Sequence, residues 1–237
     1  MVARKALIVG CPDKDIPGVL VDMENYRRFF QSSSGGAWYS NEIEVLKSPS
    51  ISSLQSAVRR LQSADYSIVI FAGHGGYSNA KQTTLLQLSP GVDIEEHELK
   101  EGAPRHTVII DACRVHLDKP ITEEFRAKAM AFDRADNTAR NRVLFDNHIR
   151  ACAPGLAVMY GCSIGEGAEE TTDSGGLYSS ILVRVGENRR AGAGLISTIS
   201  EAHEDATLLV RRETRNRQNP RAMFPRTLPR FPFAVDA

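Results

Sequence analysis

The chain has 237 residues, of which 42% are hydrophobic and 24% are charged, a composition typical of a folded soluble protein with one or two domains. Its 29 basic residues equal its 29 acidic residues, so no net charge draws the whole molecule to nucleic acid or to an anionic membrane. The longest apolar runs have five residues, whereas a membrane-spanning helix needs about 20. We therefore predict a cytoplasmic protein, not bound to a membrane, whose function depends on a local site.

Cysteine usage argues against export and against a metal centre. The residues before Cys11 resemble a lipoprotein export signal, but their apolar stretch is far shorter than the roughly 7–15 residues that a signal needs. Four cysteines in an unexported chain of this length are expected to be free thiols. The sequence has no Cys-x-x-Cys pair, and His148 with Cys152 would supply only two ligands, so we predict no metal site.

Short apolar runs alternate with amphipathic stretches along the chain. The apolar runs predict strands over residues 6–10, 43–46, 67–72, 105–111 and 156–160. Apolar residues at helical spacing predict helices over residues 19–30, 51–61, 176–185 and 198–212. A short ribbon is predicted over 84–88, and a solvated helix or turn over 93–101. Buried strands that alternate with helices are typical of an α/β fold with a mostly parallel sheet between helical layers.

Three further segments have less regular patterns. Residues 115–150 carry many charges and no strand pattern, and a connection that long inside a compact domain is usually functional or disordered. Residues 230–235 predict an edge strand, because Pro232 is disfavoured in a central strand. Seven arginines lie from Arg211 to Arg230 without interleaved aromatic residues, so a solvated surface is a better interpretation than a nucleic-acid-binding one.

Two residues with complementary chemistry follow consecutive strands of the predicted sheet. His74 comes just after the strand over 67–72, and Cys113 comes just after the strand over 105–111. Ligands of open parallel sheets bind beyond the carboxyl ends of the strands, and neighbouring strands would bring these two side chains together. An imidazole that takes the proton of a thiol produces a thiolate nucleophile. We predict Cys113 as the nucleophile and His74 as the general base and acid.

The backbone at the same positions could stabilise an oxyanion. Gly75 has no side chain, so its N–H can face the same point as the N–H of Cys113, and each such donor contributes roughly 3–4 kcal/mol. Simpler interpretations stay open at this point. A single histidine after a strand is commonly a loop residue bonded to carbonyl groups, and a single buried cysteine commonly fills the core.

These residues lie in motifs that resemble those of a known family. Residues 71–76, Phe-Ala-Gly-His-Gly-Gly, and 109–114, Ile-Ile-Asp-Ala-Cys-Arg, are similar to the histidine and cysteine motifs of the caspase and metacaspase clan. Residues 17–22 are similar to its first-helix motif, and residues 160–178 to its loop and helix after the fifth strand. The resemblance implies a cysteine endopeptidase with a Cys–His dyad and no obligatory third acid. It also implies a caspase-type three-layer α/β sandwich, with about six mostly parallel strands and helices on both faces.

The resemblance further implies a substrate pocket. Caspases cut after aspartate with a pocket of two arginines and a glutamine, and the matching positions here are Asp22, Glu170 and Asp111. Metacaspases that cut after arginine or lysine likewise carry aspartates at the positions of Asp22 and Asp111. Carboxylates bind a guanidinium through charge-assisted bonds, so we predict cleavage after Arg, extending to Lys, with Ser163 as a further substrate contact. Alternatives stay open: Asp22 as a solvated helix residue, Asp111 as a support for the nucleophile's backbone, and Glu169 in place of Glu170.

The chain departs from the metacaspase pattern in two respects. Arg114-Val115-His116 follows the cysteine where metacaspases typically have His-Ser-Gly, which is closer to caspases and to bacterial caspase-like proteins. No Asp-x-Asp-x-Asp-Gly loop is present, so the calcium dependence of some metacaspases does not transfer. We expect no cofactor and leave a calcium requirement open.

The resemblance divides the single domain predicted for 1–237 into three parts. These are a large-subunit-like part (1–114), a linker or insertion (115–150) and a small-subunit-like part (151–237). Caspases are cut in the segment that matches 115–150. We therefore hypothesise activation through cleavage, by the protein itself or by an upstream protease, after one of Arg126, Arg134, Arg140, Arg142 and Arg150. An ordered helical insertion is the alternative.

The main prediction is therefore a caspase-like endopeptidase that acts on protein substrates. Caspase-like proteins in bacteria act in defence or cell-death systems, so the resemblance implies a signalling or antiviral defence protease, by family analogy alone. One alternative is a non-catalytic caspase-like module that binds a partner through the same cleft. Another is an arginine-tailed nucleic-acid binder, which would show salt-dependent binding and no thiol sensitivity.

Overall fold

A computed structural model describes residues 2–117, 138–171, 173–188 and 195–235. The strands in chain order are β1 (Arg4–Cys11), β2 (Ile43–Lys47), β3 (Tyr66–Gly73), β4 (Gly75–Ser78), β5 (Thr83–Ser89), β6 (Val92–Glu95), β7 (Arg105–Asp111), β8 (Gly155–Tyr160), β9 (Glu170–Thr171), β10 (Gly175–Gly176), β11 (Ile196–Thr198), β12 (Arg221–Met223) and β13 (Pro232–Val235). The α-helices are α1 (Val19–Gln31), α2 (Ile51–Leu61), α3 (Thr138–Ala151), α4 (Leu177–Asn188) and α5 (Ile199–Glu213).

A six-stranded sheet forms the centre of the molecule, in the order β12-β8-β7-β3-β1-β2. Its five strands other than β12 pair in parallel, and β12 pairs antiparallel with β8. In β3 every residue except the last is buried, which explains why the strand appears in the sequence as an uninterrupted apolar run. The predicted six-stranded, mostly parallel α/β sheet is confirmed.

Helices and a ribbon cover the two faces of this sheet. Successive residues of β1 point to opposite faces, so Ile8 belongs to one core and Leu7 to the other. The core around Ile8 includes side chains from α1, α3, α4 and α5, among them Tyr26, Phe145, Tyr178 and Val210. The core around Leu7 includes Leu54 of α2 and Leu86 of β5. The described helices include none with the length and apolar character that crossing a membrane requires.

The C-terminal segment predicted as an edge strand forms β13. This strand pairs antiparallel with β11 in a two-stranded sheet separate from the main one, so it is an edge strand as predicted. One edge of the main sheet is β12, in which Arg221 and Met223 are exposed and Ala222 is half-buried. The edge position was therefore missed because β12 is short and has no apolar run.

Two other predicted segments acquire more structure than expected. The ribbon over 84–88 is the middle strand, β5, of a three-stranded antiparallel sheet with β4 and β6. The acidic segment over 93–101 contains the end of β6 and a short 3-10 helix, Glu96–Leu99. This small sheet begins directly after His74, so it places its first strand next to the candidate site.

A buried ionic network attaches α3 to the sheet. Arg142 of α3 pairs with Glu42 at 2.6 Å, and Arg4 of β1 lies 3.4 Å from Asp146 of α3 and 3.8 Å from Glu42. The guanidinium of Arg4 also lies over the Trp38 ring, with Cζ 4.7 Å from the ring centroid. Charges this deeply buried are costly to separate. The network therefore fixes α3 to β1 independently of the residues that precede the helix.

Candidate active site

The register of two central strands brings His74 and Cys113 to the same edge of the sheet. Ala72 of β3 pairs with Asp111 of β7, and His74 and Cys113 each follow those paired residues by two positions. Both residues are half-buried. Beyond the strands the two segments continue side by side, since Tyr77 N–H donates to the carbonyl of Val115 at 2.8 Å.

Gly75 lies against the backbone of the candidate nucleophile. A Cβ at this position would lie 2.9 Å from the carbonyl oxygen of Cys113 and 2.9 Å from the Cβ of Ala112. Contacts that close would force the two segments apart, so the position favours glycine. The N–H of Gly75 as an oxyanion donor stays a prediction.

The surroundings of the Cys113 thiol disfavour its thiolate form. Burial raises the pKa of this thiol, the N–H of Ala168 lowers it, and the negative charges of Asp111 and Glu170 raise it further. The Ala168 N–H donates to Sγ at 3.3 Å. A nucleophilic role for Cys113 therefore requires a nearby base.

Cys113 is also the most accessible of the four cysteines. All four are free thiols, and Cys11, Cys152 and Cys162 are buried whereas Cys113 is half-buried. Within the described ranges, no group of three or more His, Cys, Asp or Glu side chains is arranged to hold a metal ion. A thiol reagent should therefore reach Cys113 first.

His74 has an acidic partner that the sequence did not reveal. Its Nε2 lies 2.8 Å from Oδ2 of Asp13, in the loop after β1. The other oxygen of Asp13 accepts the N–H groups of Asp15 and Ile16, at 2.8 and 3.1 Å. Asp13 could have been found only from the strand order, because the side chain meets His74 where β1 lies beside β3.

Three of the four predicted substrate-binding residues lie together. Asp22 is 2% exposed and accepts the N–H of Gly176 at 2.8 Å, and Asp111 is 6% exposed and accepts the N–H of Ser179 at 2.9 Å. Glu170, which is half-buried in β9, is close enough for its charge to act on Asp22. Both aspartates therefore receive N–H groups at the start of α4, where the helix dipole favours negative charge.

Asp22, Asp111 and Glu170 form an acidic cluster, in which each aspartate has one oxygen without a hydrogen-bond donor among the described residues. Oδ1 of Asp22 and Oδ1 of Asp111 are buried and accept no hydrogen bond from the described part of the chain. A Cβ at Gly176 would contact Oδ2 of both aspartates, so only a glycine-sized residue fits between them. Buried carboxylate oxygens without a donor are costly, and a cationic ligand with N–H donors would satisfy them.

Burial and mutual repulsion shift the titration of the acidic cluster. Burial raises the pKa of Asp22 well above its ordinary value, and the charge of Asp111 raises it further. Burial also raises the pKa of Asp111. For Glu170, burial and then the charge of Asp111 raise the pKa to about 7. Each ionised carboxylate therefore makes ionisation of the others less favourable, and a bound cation would reverse that effect.

The structure distinguishes Glu170 from its neighbour. Glu169 forms an ion pair with Arg217 at 2.9 Å, so its carboxylate already has a cationic partner. Ser163, the fourth predicted substrate contact, lies in the loop after β8. Its hydroxyl donates a hydrogen bond to the carbonyl of Asn219 at 2.8 Å and accepts one from Nε of Arg221 at 2.9 Å. These bonds orient the loop, and contact between Ser163 and a substrate stays a prediction.

Arg114 stabilises the segment immediately after Cys113. Its Nε donates to the hydroxyl of Thr84 at 3.1 Å, and its Cζ lies 4.0 Å from the centroid of the Tyr160 ring. The backbone N–H of Arg114 donates to the carbonyl of Glu166 at 2.9 Å. The guanidinium of Arg114 thus joins β5 and the end of β8 to the segment after Cys113, and its backbone N–H joins the loop beyond β8 to the same segment.

The five predicted activation sites differ in their surroundings. Arg126 and Arg134 lie outside the described residues. Arg140 and Arg150 are exposed on α3. Arg142 is buried and ion-paired with Glu42, so cleavage after it would require α3 to unfold.

Comparison with known proteins identifies the family and the fold of the chain. A family model described as the caspase domain matches residues 3–230. Among solved structures, the crystal structure of caspase-1 from Spodoptera frugiperda superposes with a TM-score of 0.60 over 94% of this chain and 88% of that chain, at 12% identity. At this identity the similarity concerns the fold alone. No curated protein sequence matches the chain.

Proposed function

Because this chain belongs to the caspase-domain family, whose members are cysteine peptidases, we propose that it is an endopeptidase that cuts proteins after arginine and, less efficiently, after lysine. The observation that carries this proposal is the acidic cluster beside Cys113, in which Asp22 and Asp111 each have a buried oxygen without a donor. The role as a signalling or antiviral defence protease is part of the proposal and rests on the family resemblance alone.

The proposed mechanism uses a Cys–His dyad. His74 takes the proton of the Cys113 thiol, and the sulfur attacks the carbonyl carbon of the scissile peptide bond. The N–H groups of Gly75 and Cys113 receive the negative charge on the carbonyl oxygen. The protonated His74 then donates its proton to the leaving amine, which breaks the C–N bond and leaves a thioester. Water, deprotonated by His74, hydrolyses the thioester and releases the Cys113 thiol.

Charge and geometry support arginine as the preferred residue before the cut. A guanidinium offers five N–H donors in a planar fork that matches carboxylates, whereas an ammonium is a compact and more strongly hydrated charge. Asp111 lies only two residues before Cys113, so the acidic cluster and the nucleophile share one backbone segment. An aspartate side chain in the same place would be repelled by the cluster.

A panel of fluorogenic peptides that differ only in the residue before the scissile bond tests this proposal. We expect kcat/KM to fall in the order Arg, Lys, Gln, Asp, with Arg exceeding Asp by about 1000-fold or more, because like charges in a desolvated site cost several kcal/mol. C113A should remove activity, and C152S, which changes a buried cysteine remote from the sheet edge, should retain it. Preferential cleavage after Asp would contradict the assignment of specificity, and an active C113A would contradict the assignment of the nucleophile.

The pH dependence of arginine binding should depend on Glu170. With a pKa of about 7, Glu170 gains its negative charge as the pH rises from about 6 to about 8, so KM for an arginine peptide should fall over that interval. E170Q should raise KM at about pH 8 by roughly tenfold and remove the inflection, whereas near pH 6 it should resemble wild type.

E169Q is the matched control for that measurement, because Glu169 is adjacent but paired with Arg217. It should keep the wild-type pH dependence of KM. An inflection that persists in E170Q, or that disappears in E169Q, would show that the wrong glutamate has been assigned to the cluster.

We also propose that cleavage before α3 regulates this activity. The proposal is supported by the arginines at 126, 134 and 140, which precede or begin the helix, and by the ionic network that holds α3 in place. Arg142 is disfavoured as a cleavage site because it belongs to that network.

A further inference from the structure

Asp13 lies on one side of His74, and the segment that carries Cys113 lies on the other. The strand order β7-β3-β1 produces this arrangement. Cys11 pairs with Gly73 across β1 and β3, so the residues just after both strands meet at the sheet edge. We propose that Asp13 is a positioning residue that completes an Asp–His–Cys arrangement for catalysis. This inference rests on the proposed function, and it adds an acid that the family resemblance does not imply.

The carboxylate of Asp13 is itself held in place. Oδ1 accepts two backbone N–H groups, from Asp15 and Ile16, and Oδ2 faces Nε2 of His74. Slight burial raises the pKa of Asp13, but the two N–H groups and His74 outweigh it and lower the pKa overall. Asp13 therefore stays ionised throughout the pH range in which a thiol peptidase works, and it acts on His74 only as an acceptor.

This contact determines which imidazole nitrogen can act as the base. An ionised carboxylate at Nε2 keeps the proton of the neutral ring on that nitrogen, which leaves the lone pair on Nδ1. When the Cys113 proton moves to Nδ1, the S–H electron pair stays on sulfur and the positive charge on His74 forms beside Asp13. Burial and then the neighbouring acids raise the pKa of the thiol, so a base whose lone pair faces the thiol would favour formation of the thiolate.

The contact also limits rotation of the imidazole. The side chains of His74 and Asp13 are 37% and 31% exposed, so solvent alone would not hold the ring in one orientation. The carboxylate of Asp13 at Nε2 holds the ring in one orientation, so that Nδ1 can face the thiol in a larger fraction of the molecules. The expected contribution is smaller than the roughly 10⁴-fold effect of a fully buried triad aspartate, because water screens a partly exposed pair.

The charge of Asp13 also acts on Glu170, so Asp13 could instead belong to the acidic cluster that recognises arginine. The two roles differ in their kinetic signature. Loss of a positioning residue lowers kcat and leaves KM little changed, whereas loss of a binding carboxylate raises KM for arginine peptides.

D13N, D13E and D15N in the full chain test this inference. Asp15 is exposed two residues away, so D15N removes the same charge from the same loop. With an arginine peptide we expect D13N to lower kcat by at least about tenfold with KM within about twofold of wild type. D13E should recover part of kcat, and D15N should match wild type. A D13N that behaves like D15N, or that changes KM alone, overturns the inference.

Alkylation of Cys113 separates this inference from the proposed specificity. The rate of carboxamidomethylation by iodoacetamide near pH 6 needs no peptide substrate and is assigned to Cys113 by peptide mass. We expect D13N to react at least about threefold more slowly than D15N, since less thiolate forms when the carboxylate that orients the His74 ring is lost. If no peptide is cleaved but D13N is still slower, the proposed function fails and the Asp13–His74–Cys113 coupling stands. Equal alkylation rates in D13N and D15N overturn the coupling, whatever the peptides show.

Discussion

Replacing Asp22 with asparagine is expected to lower kcat/KM for arginine peptides by at least about 100-fold, because losing one partner of a buried ion pair typically costs about 3–5 kcal/mol. The same substitution should raise the melting temperature at about pH 8. The two effects have one cause, since Asp22 is buried beside a second aspartate. Its charge is unfavourable in the free protein and becomes favourable when a guanidinium is bound.

The sign of the stability effect follows from the pKa of Asp22. Folding raises this pKa well above its ordinary value. Protonated Asp22 is therefore compatible with folding, and any stability that it contributes is fully present below the pKa of the carboxyl in the unfolded chain, about 3.9. That stability is lost as the pH rises through the pKa of Asp22 in the folded protein. Asparagine does not ionise, so the gain in melting temperature should be large near pH 8 and small near pH 4.

D93N is the control for both measurements, because Asp93 is exposed in β6 and loses the same charge. It should leave kcat/KM and the melting temperature within error of wild type. If D22N unfolds more readily at every pH, the main role of Asp22 is to bind the N–H of Gly176 at the start of α4. Retained arginine cleavage by D22N would remove Asp22 from the specificity site.

Intact-mass analysis of purified protein is expected to show wild type cut before or at the start of α3 and C113A uncut. The fragments should end at Arg126, Arg134 or Arg140, and the cut protein should cleave an arginine peptide at least about tenfold faster than the uncut form, as expected for a proteolytic switch. The triple variant R126A/R134A/R140A should stay intact. R150A, at an exposed position in the last turn of α3, is the matched control and should still be cut.

The two fragments should stay together after the cut. β8, which follows the cleavage region, pairs in parallel with β7, which precedes it, and the Arg142–Glu42 pair joins α3 to the first part of the chain. Size-exclusion chromatography should therefore show a single species with the mass of the whole chain. Identical fragments from C113A would assign the cut to another protease. An uncut wild type with the same peptidase activity as cut protein would contradict activation through cleavage.

The central strands and the candidate dyad were predictable from the sequence because both depend on local pattern. β3 and β7 are buried on both faces and so appear as apolar runs, and residues just after such runs lie at the edge where parallel sheets bind ligands. His74 and Cys113 could be identified in this way without knowing how the helices pack.

The features that were missed depend on which strands are neighbours. Asp13 meets His74 only because β1 lies beside β3, and no periodicity in the sequence records that order. The sequence does not separate Glu169 from Glu170, whereas in the structure Arg217, from the segment after α5, pairs with Glu169; Glu170 as a substrate contact stays a prediction. β12 was missed because a three-residue edge strand that is mostly exposed has little apolar signal.

The position of Cys113 among acidic groups would link recognition of the proposed substrate to the reactivity of the thiol. Burial raises the pKa of the thiol most, and the charges of Asp111 and Glu170 raise it further. A positively charged guest seated between those carboxylates would offset the influence of the charges. In the absence of such a guest the sulfur stays in its less reactive form, which slows reaction with peroxide and stray electrophiles. Under the proposed function, the carboxylates that bind the substrate's arginine would therefore also disfavour the Cys113 thiolate until that arginine is bound.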